Sequence, residues 1–180
     1  IDATNYTMYD MGHPMHAFDA GIFTENTLEV RRAKKGEKLV LLDGEKIDLK
    51  VNDCVIANSD QVVSLAGVMG GELGSVTAST KTLLVEASHF KASGIRISSF
   101  EHKKRTESSA RFEKGLDPNQ NTTALCRFAK LLGEWGVPHS LSNEVVSLGA
   151  LVCECEVRVS HDIINKKIGL KSSPEKIVSV

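Results

Sequence analysis

The sequence predicts an α+β fold on three observations. Short aliphatic and β-branched runs separated by Gly, Asn and Asp fill residues 28–66, an Asp43-Gly44 pair sits between two of them, and apolar residues shift to helical spacing in the second half. Runs bounded by turn residues read as strands, and Asp-Gly tolerates the positive φ of a tight hairpin.

The opening, Asp2-Ala-Thr-Asn-Tyr-Thr-Met-Tyr-Asp-Met-Gly12, predicts a short helix, with Asp2 or Thr4 able to cap its first amides and Gly12 placed to end it. It delivers the chain to His13-Pro-Met-His-Ala-Phe-Asp19. Strands are predicted at 28–32, 38–42, 46–49, 54–57 and 62–66, punctuated by Lys35-Gly36, Asp43-Gly44 and Asn58-Ser-Asp60. A glycine cluster from Gly67 to Gly74 follows, then one more strand over 82–87. Helices are predicted over 92–102 and 118–134. In the latter Asp117 is the cap, Pro118 takes the first helical position, and Leu125, Phe128, Leu131, Leu132 and Trp135 form a core stripe. After Gly136-Val-Pro138 come two short strand-like pieces, a strand at 156–159, a helix over 162–169 and a helix opening at Pro174.

Composition narrows the function classes. Apolar residues make up 41% and charged residues 25%, an ordinary globular profile, and the net charge of −1 argues against gripping nucleic acid through a broadly cationic surface. Any nucleic-acid contact is therefore local. Cys54, Cys126, Cys153 and Cys155 show no Cys-x-x-Cys spacing, which suits a reducing cytoplasm. With no long apolar run and no basic start leading into one, the chain is expected neither to span a membrane nor to be targeted.

Four segments carry more Gly, His, Thr and charge than packing requires. His16, just after Pro14, is either a hydrogen-bonding group or base near neutral pH, or a satisfied structural histidine. Ala66-Gly-Val-Met-Gly-Gly-Glu72 either lets backbone amides approach a ligand or makes tight bends. Glu86 ends an apolar run, so it is a candidate to grip a hydroxyl in an apolar pocket, or else a solvent-facing strand end. Residues 103–118, with three hydroxyls and Arg111 in an expected loop, suit phosphate or water binding or a plain solvated turn. There is no Gly-x-Ser-x-Gly elbow and no His-Glu-x-x-His. Cys153-x-Cys155 near His161 lacks further ligands at zinc spacing, so no metal site is expected.

In this order and spacing the segments resemble the editing region of the phenylalanyl-tRNA synthetase β-subunit family. The matching strings are Thr4-Asn-Tyr with Gly12-His-Pro-Met-His-Ala-Phe-Asp19, Leu41-Leu-Asp-Gly44, Ala66-Gly-Val-Met-Gly-Gly-Glu72, Leu84-Val-Glu86, and Arg105-Thr-Glu-Ser-Ser-Ala-Arg-Phe-Glu-Lys-Gly-Leu-Asp-Pro118. They span about residues 1–136. The resemblance implies layered, sandwich-like β-sheets with helices packed on one side, an editing domain over 1–150 lacking its N-terminal start, and a truncated opening of the next domain over 151–180.

It also implies a function. In the family an α subunit charges tRNA(Phe) within an α2β2 tetramer, using ATP and Mg2+, while this region hydrolyses tyrosine wrongly attached to the same tRNA without a cofactor of its own. By position, His16 and Thr106 match the residues that hold the hydrolytic water. Glu86 matches the glutamate that recognises the tyrosine hydroxyl. Gly67, Met69, Gly70 and Gly71, with Pro14 and Ser108, match the pocket lining. Arg105 and Arg111 are the candidate tRNA contacts. Ser108 stands where several relatives carry alanine, at a position that sets pocket size. The competing readings are a scaffold for assembly with the α subunit and a free-standing hydrolase of aminoacyl derivatives.

Overall fold

A computed structural model of the chain describes residues 2–23, 28–59, 61–142, 145–149 and 156–179. Contacts divide the chain into two units, Ile1–Val146 and Ser147–Val180.

In the first unit, helix α1 (Asp2–Met11) buries Thr7 and Met8 and packs on a later helix, α4 (Gln120–Glu134). It stops at Gly12, whose φ of +71° suits a residue without Cβ and whose amide donates to the Met8 carbonyl at 2.8 Å. The segment that follows is itself a strand, β1 (Met15–Asp19), which the sequence did not predict. Strands β2 (Glu29–Arg32), β3 (Lys38–Val40), β4 (Lys46–Asp48), β5 (Cys54–Ala57) and β6 (Val62–Leu65) appear where expected.

β7 (Met69–Gly70) and β8 (Leu83–Ala87) complete the set. They form an antiparallel sheet in the order β2-β5-β6-β7, a β3-β4 hairpin and an antiparallel β1-β8 pair. The hairpin turns at the predicted Asp43-Gly44, with Gly44 at φ +81° donating to the Leu41 carbonyl at 2.9 Å. Phe18, Leu41, Val55, Ile56, Val63 and Leu65 are fully buried beneath these sheets, each contributing roughly 1.5–3 kcal/mol of apolar burial.

The helices correct three expectations. Residues 103–118 are not one loop: α3 (Glu107–Phe112) forms there, because Thr106 and Ser109 cap each other's backbone amides. The fourth helix begins at Gln120, not Pro118. Asp117 accepts from the Asn119 amide at 2.9 Å through its side chain and from the Gln120 amide at 3.2 Å through its carbonyl, so Asp117-Pro118 forms the turn before the helix. That helix buries Ala124, Phe128 and Leu131, whereas Trp135, assigned to the same stripe, is 47% exposed.

Helix α2 (Ala92–Glu101) packs on α3 and is tied to the strands by Asp53. This buried carboxylate accepts from Ser98 Oγ at 2.6 Å and from the Lys50 amide at 2.7 Å, and lies 2.7 Å from His102 Nε2.

The second unit holds α5 (His161–Ile168), capped by Ser160 and closed by Gly169 at φ +70°, and α6 (Pro174–Val178), capped by Ser173. The strand expected at 156–159 is not formed. Of the strand-like pieces expected after Pro138, residues 139–142 and 145–149 form no strand, and residues 143–144 and 150–155 lie outside the described residues, as do Asp60, Cys153 and Cys155. Among the described residues no helix is long and apolar enough to cross a membrane.

Candidate functional site

Antiparallel pairing of β1 with β8 sets His16 directly opposite Glu86. Side chains at paired positions project to the same face of the ribbon. Both line one side of a cleft of about 80 Å³.

The other side is the glycine segment. It is not a loose loop but a tight hairpin, in which β7 folds back on β6 with Ser64 opposite Gly70 and Leu65 opposite Met69. At its turn the Val68 amide donates to the Leu65 carbonyl at 3.0 Å and Gly67 takes φ +69°, a value that favours glycine. Gly70 is favoured for a different reason. A Cβ there would lie 2.5 Å from Cε1 and 2.7 Å from Nε2 of His16, so the imidazole rests on bare backbone.

Helix α3 closes the cleft and locks the hairpin. Ser108 Oγ donates to the Gly67 carbonyl at 3.0 Å, and Thr106 Oγ1 donates to the Val68 carbonyl at 2.8 Å while accepting from the Ser109 amide at 3.0 Å. The cleft therefore gathers Pro14, His16, Gly67, Met69, Gly70, Glu86 and Ser108.

Thr106 and Gly71 stand behind its lining. Thr106 spends its hydroxyl on the clamp, and Gly71 donates to the Val63 carbonyl at 2.8 Å. Arg105 pairs with Glu113 at 3.3 Å and is mostly exposed, while Arg111 pairs with Glu107 at 2.6 Å. Sequence reasoning missed Phe90 and Phe112, which line the cleft with ring centroids 5.2 Å apart. Phe112 lies within the matching segment at 105–118, but Phe90 carries no local signal that separates a pocket wall from ordinary core.

Burial governs the electrostatics. It pushes the Glu86 carboxyl up to about 7, against the opposing pull of the Ser88 hydroxyl. It pushes the His16 imidazole down to about 4, so the ring is neutral at pH 7. The His16 ring meets Phe18 edge-on, with centroids 4.4 Å apart, and makes no hydrogen bond to any described residue. A buried neighbour, His13, has its pKa lowered chiefly by burial and stacks edgewise on Phe112 at 6.3 Å. Neither of its ring nitrogens meets a partner in bonding geometry, although the Ser88 backbone faces it. Among the described residues no group of three His, Cys, Asp or Glu side chains could hold a metal ion.

A cleft of this kind offers a carboxyl in an aromatic setting at one point and a neutral imidazole beside it. It can hydrogen-bond a polar group on a planar apolar body and hold water near it.

Comparison with known proteins gives this geometry a context. Residues 1–136 match the B3/4 domain family. A phenylalanine–tRNA ligase beta subunit from Streptococcus agalactiae serotype Ia is 42% identical over 170 residues, covering 94% of this chain and 21% of that protein. Proteins of the same name from Bifidobacterium longum and Clostridium acetobutylicum are 44% and 36% identical over 142 and 178 residues, covering 76% and 98% of this chain and 16% and 22% of theirs. The chain thus spans about a fifth of the length of the curated relatives it matches.

Proposed function

The chain belongs to the B3/4 domain family, and on that premise we propose that it is the editing region of a phenylalanine–tRNA ligase beta subunit, hydrolysing tyrosine wrongly attached to tRNA(Phe). The observation that carries this reading is the His16–Glu86 pair, held side by side in a cleft with aromatic walls.

An apolar synthetic pocket rejects an added hydroxyl only weakly, so phenylalanine and tyrosine are poorly separated at charging. A second site built around that hydroxyl separates them sharply, because its absence leaves a buried polar group unpaired. Here the Glu86 carboxylate accepts a hydrogen bond from the phenol hydroxyl, and Phe90 and Phe112 offer the ring an apolar wall. Water then attacks the ester carbonyl carbon and the bond to the ribose oxygen breaks, releasing tyrosine and a tRNA with its terminal hydroxyl restored. His16, neutral at working pH, accepts a hydrogen bond from that water. A pKa of about 4 makes it a weak base, which favours a positioning role over full proton abstraction. Thr106 and Ser108 act on the water and the ring indirectly, by fixing the Gly67–Val68 turn.

On this reading, residues 1–150 form the editing domain and 151–180 open the next one, a division near the contact boundary between Val146 and Ser147. Charging, with ATP and Mg2+, belongs to another part of an α2β2 enzyme in the cytoplasm. The test is release of tyrosine from Tyr-tRNA(Phe) by the full chain beside Glu86→Ala, with Phe-tRNA(Phe) as control. Release of tyrosine alone, lost in the variant, is expected; equal release of both amino acids would overturn the reading.

A further inference from the structure

We propose that the outer face of α1, with arginines of α3 and α4 laid over it, is a stacking platform for unpaired nucleotides at the 3′ end of an RNA whose ester occupies the cleft. This rests on the editing reading and adds a binding surface to it.

The helix turns Thr7 and Met8 inward and leaves Tyr6 and Tyr9, one turn apart, 46% and 65% exposed. The Arg111 guanidinium lies 5.2 Å from the centre of the Tyr9 ring, and that of Arg127 lies 5.8 Å from the centre of Tyr6. Trp135 meets Tyr6 edge-on, with centroids 5.6 Å apart. The planar groups are held in place. Arg111 donates to the Glu107 carbonyl at 2.9 Å and to its carboxylate at 2.6 Å, while Arg127 is tied to Asp10 at 2.7 Å and Glu134 at 3.0 Å.

Those carboxylates offset the arginine charges, so the surface presents π-faces more than a phosphate clamp. Such a surface suits stacked single-stranded bases and is a poor match for duplex backbone, which is gripped by uncompensated cations. Its position fits the same occupant. The chain after Tyr9 turns at Gly12 and reaches Pro14 in the cleft wall, and Arg111 adjoins Phe112, which also lines the cleft. Nucleotides leading to an ester in the cleft are therefore expected to cross this face.

Trp135 is the only tryptophan, which gives a direct reporter beside Tyr6. The full chain is titrated with a short RNA ending in CCA, with duplex RNA as control. Saturable quenching by the single strand alone is expected, with a shallow salt dependence. Tyr9→Ala weakens it about tenfold and Tyr9→Phe keeps it. In the same preparations Tyr9→Ala raises KM for Tyr-tRNA(Phe) by a similar factor and leaves hydrolysis of tyrosine ethyl ester unchanged. Absence of single-strand binding, binding that is steep in salt and indifferent to Tyr9, or an equal loss on both esters would overturn the platform. If the wild-type chain hydrolyses neither ester, the editing reading fails, and the RNA titration still decides the platform.

Discussion

At the β6–β7 turn the polar groups are engaged with one another: the Gly67 and Val68 carbonyls accept from Ser108 and Thr106, and the Val68 amide closes the turn onto Leu65. Across the cleft the β1–β8 pair holds its strands by backbone bonds but leaves His16 without a hydrogen bond to any described residue, and Glu86 beside Ser88 with its pKa near 7. One wall is fixed by satisfying its groups and the other keeps groups available. On the proposed reading, the first wall would position a substrate and the second would act on it, so substitutions on the two walls should fail in different ways.

The largest effect is expected at the available wall. His16→Ala should lower tyrosine release by on the order of 10²-fold or more while the thermal unfolding midpoint falls only modestly, since the ring makes no hydrogen bond to a described residue and loses chiefly its edge contact with Phe18. Parallel rate and melting measurements check this, and a large fall in midpoint would make His16 a structural group.

Gly70→Ala tests the contact between the walls. Its Cβ would strike the His16 ring tip, which can swing aside. Activity should therefore fall by up to about 10²-fold with little loss of stability. At Gly71 the same change meets the Val63 carbonyl at 2.8 Å, and there backbone must yield.

Glu86 gives the next effect through pH. Its folded pKa is raised from 4.5 to about 7, so the stability it contributes is present below about pH 4.5 and is lost as pH rises through 7. His16, lowered from 6.5 to about 4, contributes stability above pH 6.5 that is lost as pH falls toward 4. The two trends oppose each other between 4.5 and 6.5. Recognition is more sensitive: the ratio of tyrosine to phenylalanine release should fall about tenfold from pH 8 to pH 6 as Glu86 takes up its proton, and should be flat in Glu86→Gln. A ratio that holds in the parent chain would remove Glu86 from hydroxyl recognition.

The smallest effect belongs to the satisfied wall. Thr106→Val removes a cap and a clamp together and should cost about 1–2 kcal/mol in urea unfolding, with a secondary decline in rate.

Legibility in the sequence follows the same division. The β3–β4 hairpin was visible because Asp43-Gly44 states its turn locally, and α1 because Gly12 ends it. β1 was not visible, since five residues starting with Met15 and containing His16 acquire their strand character only from a partner at 83–87. α3 was overlooked because its six residues are mostly polar, although Thr106 and Ser109 were a readable cap. His16 and Glu86 stood out as residue types, but their register did not. The roles of Thr106 and Ser108 as clamps depend on carbonyls far away in the chain, which no local pattern records.

The β1–β8 pairing also orders events in time. His16 and Glu86 meet only after the chain between them, which carries the hairpin and the four-stranded sheet, has brought its ends together. Closing so long a loop is entropically slow and is rewarded only once intervening contacts exist. In a refolding experiment, sheet formation followed by circular dichroism should therefore precede recovery of hydrolysis, and a chain paused during synthesis before β8 would hold much of its core and no functioning site.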